Sequence, residues 1–161
     1  MKIIIPARKG SKGLPGKNRL LFEHTISKIP KIYKKDVIVT TDDEVIIEQL
    51  SSSECKTLKR QKALSEDITS TRDVLQDAID KYNISEDEQI IMLYLTYPER
   101  TWKDIEQALE FYSKTKARSL LCCSDVKVNP FLCMLKKDNY KGAQIIEHNL
   151  YRRQDYPECF E

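Results

Sequence analysis

The sequence is poor in the residues from which many sites are built. Histidine occurs twice in 161 residues, as His24 and His148, far apart in the chain. There are five cysteines (Cys55, Cys122, Cys123, Cys133 and Cys159), an odd number with no C-x-x-C spacing among them. Such a set supports neither a zinc site nor a disulfide framework, and free thiols suit a reducing cytosol. No apolar run approaches membrane-spanning length. The first residues enter a short apolar strand without signal-peptide architecture, so a cytoplasmic protein with no membrane contact is expected. Charge of one sign is lacking too. The chain has 27 basic and 25 acidic residues, a formal net charge of +2, whereas a dedicated nucleic-acid binder usually carries a larger basic excess. The length suits one domain over residues 1–161, enough to bury roughly two-thirds of the unfolded surface without a staple.

Glycine is scarce, with four in all, and its distribution is uneven. Gly10, Gly13 and Gly16 fall together directly after the first apolar run. Glycine lets backbone approach a ligand closely and take positive φ, and successive N–H groups in such a stretch can form an anion nest. Arg8, Lys9, Lys12 and Lys17 add positive charge in the same stretch. A polyanion such as a triphosphate is the natural partner. The alternative is a solvated glycine turn with surface lysines. Two better-known loops do not fit. Gly10 and Gly16 are too far apart for a Walker P-loop, and Lys17 is followed by Asn18 rather than Ser or Thr, which also disfavours a kinase-like ATPase. No G-x-G-x-x-G spacing exists.

Hydrophobic patterning predicts alternating strands and helices. Lys2–Pro6 (KIIIP), Val37–Thr40 (VIVT) and Gln89–Leu95 (QIIMLYL) read as buried strands, the last giving the strongest signal. Ala117–Ser124 and Phe131–Lys136 are further strand candidates, and Cys122 and Cys123 are expected to be buried in the first of these. Helices are expected over Leu20–Ile29, Asp43–Leu50 and Ser70–Lys81. Another should run from Thr101 as N-cap to about Ser113, burying Trp102, Ile105, Leu109 and Tyr112. This alternation implies right-handed crossovers and a mostly parallel sheet covered on both faces. Ligands then bind just beyond the carboxyl ends of the strands. Asp42 lies there, and reads as a cap of the following helix.

The segment Ile3–Asn18, IIIPARKGSKGLPGKN, resembles the opening signature of the CMP-acylneuraminate synthetases and of relatives that activate other nonulosonic acids. Further motifs follow in order: VIVTTD at Val37–Asp42, RQKALSEDITST at Arg60–Thr71, Pro98 and Arg100, SDVKVNPF at Ser124–Phe131, and RQDYP at Arg153–Pro157. The resemblance implies a three-layer, Rossmann-like α/β nucleotidyltransferase fold with a mostly parallel, mixed sheet. It implies transfer of CMP from CTP to a small acidic acceptor with release of pyrophosphate, with Mg²⁺ as cofactor, in CMP-sugar biosynthesis; a homodimer is compatible with it. Carried over by position, Arg8 and Lys17 are the catalytic candidates that hold the triphosphate. Ala7, Arg8, Gly10, Ser11, Gly13, Lys17, Asn18, Arg60 and Thr71 form the nucleotide site, and Tyr94 and Arg153 face the acceptor. Plain alternatives stand beside some of these roles. Arg60 also reads as a solvated charge near a strand end, Thr71 as a helix cap, and Arg153 as part of a charged turn.

Two departures from the family pattern bear on function. Tyr94, Leu95 and Tyr97 stand where family members place Gln, Pro and Ser. A phenol in place of a flat amide changes both hydrogen bonding and volume, so the acceptor is left open between a sialic-acid-like nonulosonic acid and another small acidic or phosphorylated metabolite. The chain also ends directly after the RQDYP element, before the late carboxylates that hold Mg²⁺ in the family. The metal ligands are therefore unidentified, and a truncated or non-catalytic nucleotide-binding domain of the same fold is the alternative reading.

Overall fold

The computed structural model describes residues 1–11, 13–136, 142–150 and 153–160. The chain divides into two compact units, Met1–Gln107 and Ala108–Glu161. The first is built on four strands, β1 (Lys2–Pro6), β2 (Val37–Thr41), β3 (Lys56–Lys59) and β4 (Ile90–Met92), in the order β3-β2-β1-β4. Every pairing is parallel, and the register sets Ile4 opposite Ile38 on one side and Met92 on the other. Successive strand residues point to opposite faces, yet Ile3, Ile4, Ile5, Val37, Ile38 and Val39 are all fully buried, so both faces of the sheet are covered. Helix α3 (Thr71–Lys81) packs on the Ile4 and Ile38 face, where Ala78 and Ile84 join them in one cluster with Leu75 and Ile79 alongside. Helices α1 (Lys17–Ser27) and α2 (Glu44–Leu50) bury Phe22, Ile46 and Leu50. The doubly covered parallel α/β sheet expected from the sequence is the one that forms.

Local details differ from expectation for identifiable reasons. Helix α1 begins at Lys17, earlier than the apolar pattern suggests, because Gly16 in the left-handed region (φ 72°) supplies its N-cap. The cap of α2 is Asp43, which accepts the N–H of Val45 at 3.1 Å; Asp42 does not cap it and turns instead to the N–H of Lys9. Strand β3 has the sequence KTLK, with exposed lysines at both ends. This is an edge strand blunted by charge, and so it carries little hydrophobic signal. The apolar run over Gln89–Leu95 forms a strand only at Ile90–Met92, since pairing with β1 ends at Ile4↔Met92; Leu93 and Leu95 are buried beyond it.

Helix α4 (Trp102–Thr115) starts as expected. Thr101 and Asp104 exchange hydrogen bonds, the Thr101 N–H donating to Asp104 Oδ2 at 2.7 Å and the Asp104 N–H to Thr101 Oγ1 at 3.3 Å. Only Ile105 of its apolar stripe is buried, while Trp102, Leu109 and Tyr112 are half-buried. In the second unit β5 (Met134–Lys136) and β6 (Gly142–Gln144) pair antiparallel. The expected strand at Phe131–Lys136 shortens to β5, preceded by a 3-10 turn at Pro130–Leu132. Ala117–Ser124 forms no strand, and Cys122 and Cys123 are exposed rather than buried. A strand needs a neighbour to take its backbone hydrogen bonds, and this apolar run has none among the described residues.

Candidate functional site

The carboxyl end of β1 is stitched to that of β2. Ala7, fully buried, donates its N–H to Thr40 O at 2.9 Å and accepts from Thr41 Oγ1 at 2.5 Å. Arg8 therefore leaves the sheet from a fixed point. Asn18, in the first turn of α1, donates Nδ2 to Arg8 O at 2.7 Å and closes residues 8–18 into a loop. The N–H of Lys9 is held by Asp42 at 2.8 Å.

Among the loop glycines only Gly16 needs its conformational freedom. Gly10 and Gly13 lie outside the positive-φ region, and a Cβ on either would meet nothing within 4 Å. They leave space beside the loop. Helix α1 opens with no side-chain cap and no acidic residue in its first turn. The Lys17 N–H is given to Leu14 O at 3.1 Å, so the N–H groups of Asn18 and Arg19, with the positive end of the helix dipole, are what this terminus offers an anion. The Lys17 ammonium at this turn has no partner among the described residues. Lys12, of the same basic run, lies outside them.

Arg60 follows β3 and is 8% exposed. Its Nε donates to Thr40 Oγ1 at 3.0 Å, Nη2 to Thr40 O at 3.2 Å and Nη1 to Leu64 O at 3.5 Å. Burial draws the guanidinium below its ordinary value; the nearby Asp42 charge opposes this, Arg8 adds to it, and Asp77 opposes it. It remains a cation, as arginine does in proteins. A buried charge is ordinarily paired; the hydrogen bonds of Arg60 go to neutral oxygens, and the charges it senses are those of Asp42, then Arg8 and Asp77. None of these carboxylates is hydrogen-bonded to it, which leaves its charge able to act on an anionic ligand. Of its two sequence readings, the solvated charge does not match the burial.

Arg8 itself pairs with Asp67, Nη1 to Oδ1 at 2.7 Å, each side chain about a third exposed. The two flank an open groove of about 500 Å³, lined also by Gly10, Ser11, Ser65 and Glu66. Neither acidic residue stands out in the sequence. Their only signal is their position inside the RQKALSEDITST segment, spatially opposite a basic loop.

Thr71 and Tyr94 form a second grouping. Thr71 is the first residue of α3, but Ser70 makes the cap, accepting the Asp73 N–H at 3.1 Å. The Thr71 hydroxyl lies 3.4 Å from that of Tyr94, whose carbonyl accepts from Arg100 Nη2 at 3.1 Å. Arg153 opens a 3-10 turn, Arg153–Asp155, in the second unit, and its side chain lies outside what is described. Ala7, Arg8, Gly10, Ser11, Asn18 and Arg60 therefore gather beyond the carboxyl ends of the strands, with Gly13 and Lys17 on the same loop. Among the described residues, no three His, Cys, Asp or Glu side chains group to hold a metal ion, and no helix is long and apolar enough to cross a membrane.

A family model described as cytidylyltransferase matches residues 2–158. An N-acylneuraminate cytidylyltransferase of Streptococcus agalactiae serotype V is 33% identical over 162 residues, which cover 94% of this chain and 39% of that protein. A pseudaminic acid cytidylyltransferase of Campylobacter jejuni is 30% identical over 132 residues, covering 76% and 57%. Among solved structures, CMP:2-keto-3-deoxy-manno-octonic acid synthetase complexed with CTP aligns with a TM-score of 0.54 at 25% identity, over 77% of this chain and 50% of that one. The chain thus spans 39% of the length of the streptococcal relative.

Proposed function

The chain belongs to the cytidylyltransferase family, and from that premise we propose that it is the nucleotide-binding part of an enzyme that transfers CMP from CTP to an acidic, sugar-like acceptor and releases pyrophosphate. The observation that carries this reading is the convergence of three cationic features beyond the carboxyl ends of the strands. These are the uncapped start of α1, Lys17 without a partner among the described residues, and the buried Arg60 beside Arg8. The names of the relatives supply the base and the acceptor class, since each is a cytidylyltransferase or CMP synthetase for an acidic sugar.

In the reaction an acceptor oxygen attacks the α-phosphorus of CTP in line. The bond from that phosphorus to the bridging oxygen breaks, and pyrophosphate leaves with the electron pair. Catalysis of this kind rests on alignment and on neutralising charge that builds on the leaving group. Arg8 and Lys17 would take the β- and γ-phosphates, with Gly10, Ser11 and Gly13 beside them; the Ser11 N–H is given to Lys9 O at 3.0 Å, so the backbone donors would be those of Gly10 and Gly13. Asn18 holds the loop closed on Arg8 beside Ala7 at the strand exit, and Arg60 and Thr71 would contact the nucleotide. Tyr94 and Arg153 would face the acceptor, where a planar guanidinium can take a carboxylate with two hydrogen bonds. Mg²⁺ would be carried by the triphosphate and would help to neutralise its charge; the described side chains do not form a cage for it. The reading puts the protein in the cytosol, with CTP and a small acid as partners rather than nucleic acid, and a homodimer is compatible with it.

The test is pyrophosphate release with CTP, ATP, GTP and UTP against a panel of acidic and phosphorylated acceptors. CTP-specific release with one acceptor is expected. Binding of CTP by calorimetry without release would assign instead a non-catalytic nucleotide-binding domain.

A further inference from the structure

Asp67 sits where a polyanion is expected to go. It belongs to the short segment between Arg60 and α3, and that segment is held at several points. Leu64 O accepts from Arg60 Nη1 at 3.5 Å, the Ser65 N–H donates to Lys62 O at 3.0 Å, and Thr69 Oγ1 donates to Ala63 O at 2.9 Å. On the other side of the groove, Asn18 fixes the backbone of Arg8. The Arg8–Asp67 pair therefore joins two anchored segments across the mouth of the groove, and its carboxylate engages a guanidinium assigned above to phosphate.

Building on that nucleotide reading, we infer that Asp67 is an internal counter-anion of Arg8, displaced when a polyphosphate enters and restored when it leaves. A half-exposed pair of this kind is weak, so a ligand that engages Arg8, Lys17 and the α1 terminus together outcompetes one carboxylate. The displaced Asp67 then faces a like charge and raises the free energy of the bound state. The same term favours departure of pyrophosphate, because Asp67 recovers Arg8 as the product goes. Asp67 is thus a residue that sets how tightly substrate and product are held. It touches neither in the resting state, and it is not a catalytic group.

The experiment uses Asp67→Asn, with Glu110→Gln as control. Glu110 does not line the groove, and it too gives up one exposed ion pair, that with Lys114 on α4. Calorimetry with CTP and, separately, with inorganic pyrophosphate should show roughly two- to fivefold tighter binding of both by Asp67→Asn, the scale of a lost surface ion pair, and less than a twofold change in Glu110→Gln. A second readout needs no ligand. Labelling by phenylglyoxal, followed at Arg8 by peptide mapping, should be faster in Asp67→Asn than in the parent chain. Unchanged or weaker binding by Asp67→Asn would overturn the inference, as would an unchanged Arg8 labelling rate. Faster labelling with no binding of CTP or pyrophosphate by either protein would overturn the nucleotide reading itself and leave only the ion pair.

Discussion

The guanidinium of Arg60 grips both oxygens of Thr40, the hydroxyl at 3.0 Å and the carbonyl at 3.2 Å. The same carbonyl accepts the N–H of Ala7. One residue of β2 therefore ties the exit of β1 to the exit of β3, and a buried positive charge is set beside that junction. Under the proposed function, stability and nucleotide binding are coupled at this point.

Arg60→Ala is expected to cost about 1–3 kcal/mol of stability, because Thr40 Oγ1 and Leu64 O lose a charged donor in a buried place. It should also weaken CTP binding. Arg60→Lys keeps the charge but cannot reproduce the planar fork, so it should recover only part of each loss. Denaturant midpoints and calorimetry read the two effects. A midpoint that does not move in Arg60→Ala would mean that the side chain is solvated.

Arg8 and Lys17 should behave in the opposite way. Both are only half-buried, and the Arg8–Asp67 pair is of the exposed kind that contributes little. Alanine at either position should leave the denaturant midpoint within about 0.5 kcal/mol while weakening CTP binding by about 1.5–3 kcal/mol, the scale of a charged hydrogen bond. Undiminished affinity in both variants would remove them from the site.

Asp43 makes a prediction about pH. It is 1% exposed, and burial alone would push its carboxyl up. The hydrogen bonds from Arg19 Nε and the Val45 N–H, with the charges of Arg19 and Lys9, bring it below its ordinary value instead. A depressed carboxyl binds fewer protons folded than unfolded, so its contribution is present above the unfolded value of about 3.9 and is lost as pH falls through the folded one. Asp36, held down by the Lys2 ammonium, and Asp104, held down by the N–H and hydroxyl of Thr101, act in the same sense. Stability should therefore fall below about pH 4. Asp43→Asn should be less stable at neutrality by roughly 1–3 kcal/mol and should show a shallower acid limb in a pH series of urea midpoints.

The fold and the loop were legible in the sequence because their signals are local. KIIIP and VIVT are β-branched runs of strand length, and the basic, glycine-rich stretch after the first of them falls where a parallel sheet presents its ligands. What escaped depends on tertiary partners. KTLK becomes β3 only because β2 offers a free edge, and ARSLLCC stays irregular because nothing described pairs with it. Asp42 and Asp43 are indistinguishable as candidate caps until the direction of the chain between Thr41 and Glu44 is known. The Arg8–Asp67 pair spans nearly sixty positions of sequence, and no spacing rule reaches that far.

Tyr94 gives the sharpest test of acceptor choice. It stands where the resembling family places a glutamine, and it is 38% exposed, so changing it should disturb the fold little. Its hydroxyl is directed at Thr71 Oγ1, 3.4 Å away. Tyr94→Gln exchanges a phenol for a shorter amide with both donor and acceptor ends, and a site that recognises its ligand by hydrogen bonds responds strongly to such a change. We expect the ratio of kcat/KM between the best acceptor and its nearest competitor to shift by at least about tenfold, with the affinity for CTP nearly constant. Tyr94→Phe separates the hydroxyl from the ring: if it reproduces the shift, the Thr71 contact is what orients the acceptor. If instead CTP affinity falls and the acceptor ratio holds, Tyr94 supports Thr71 on the nucleotide side and does not select the acceptor.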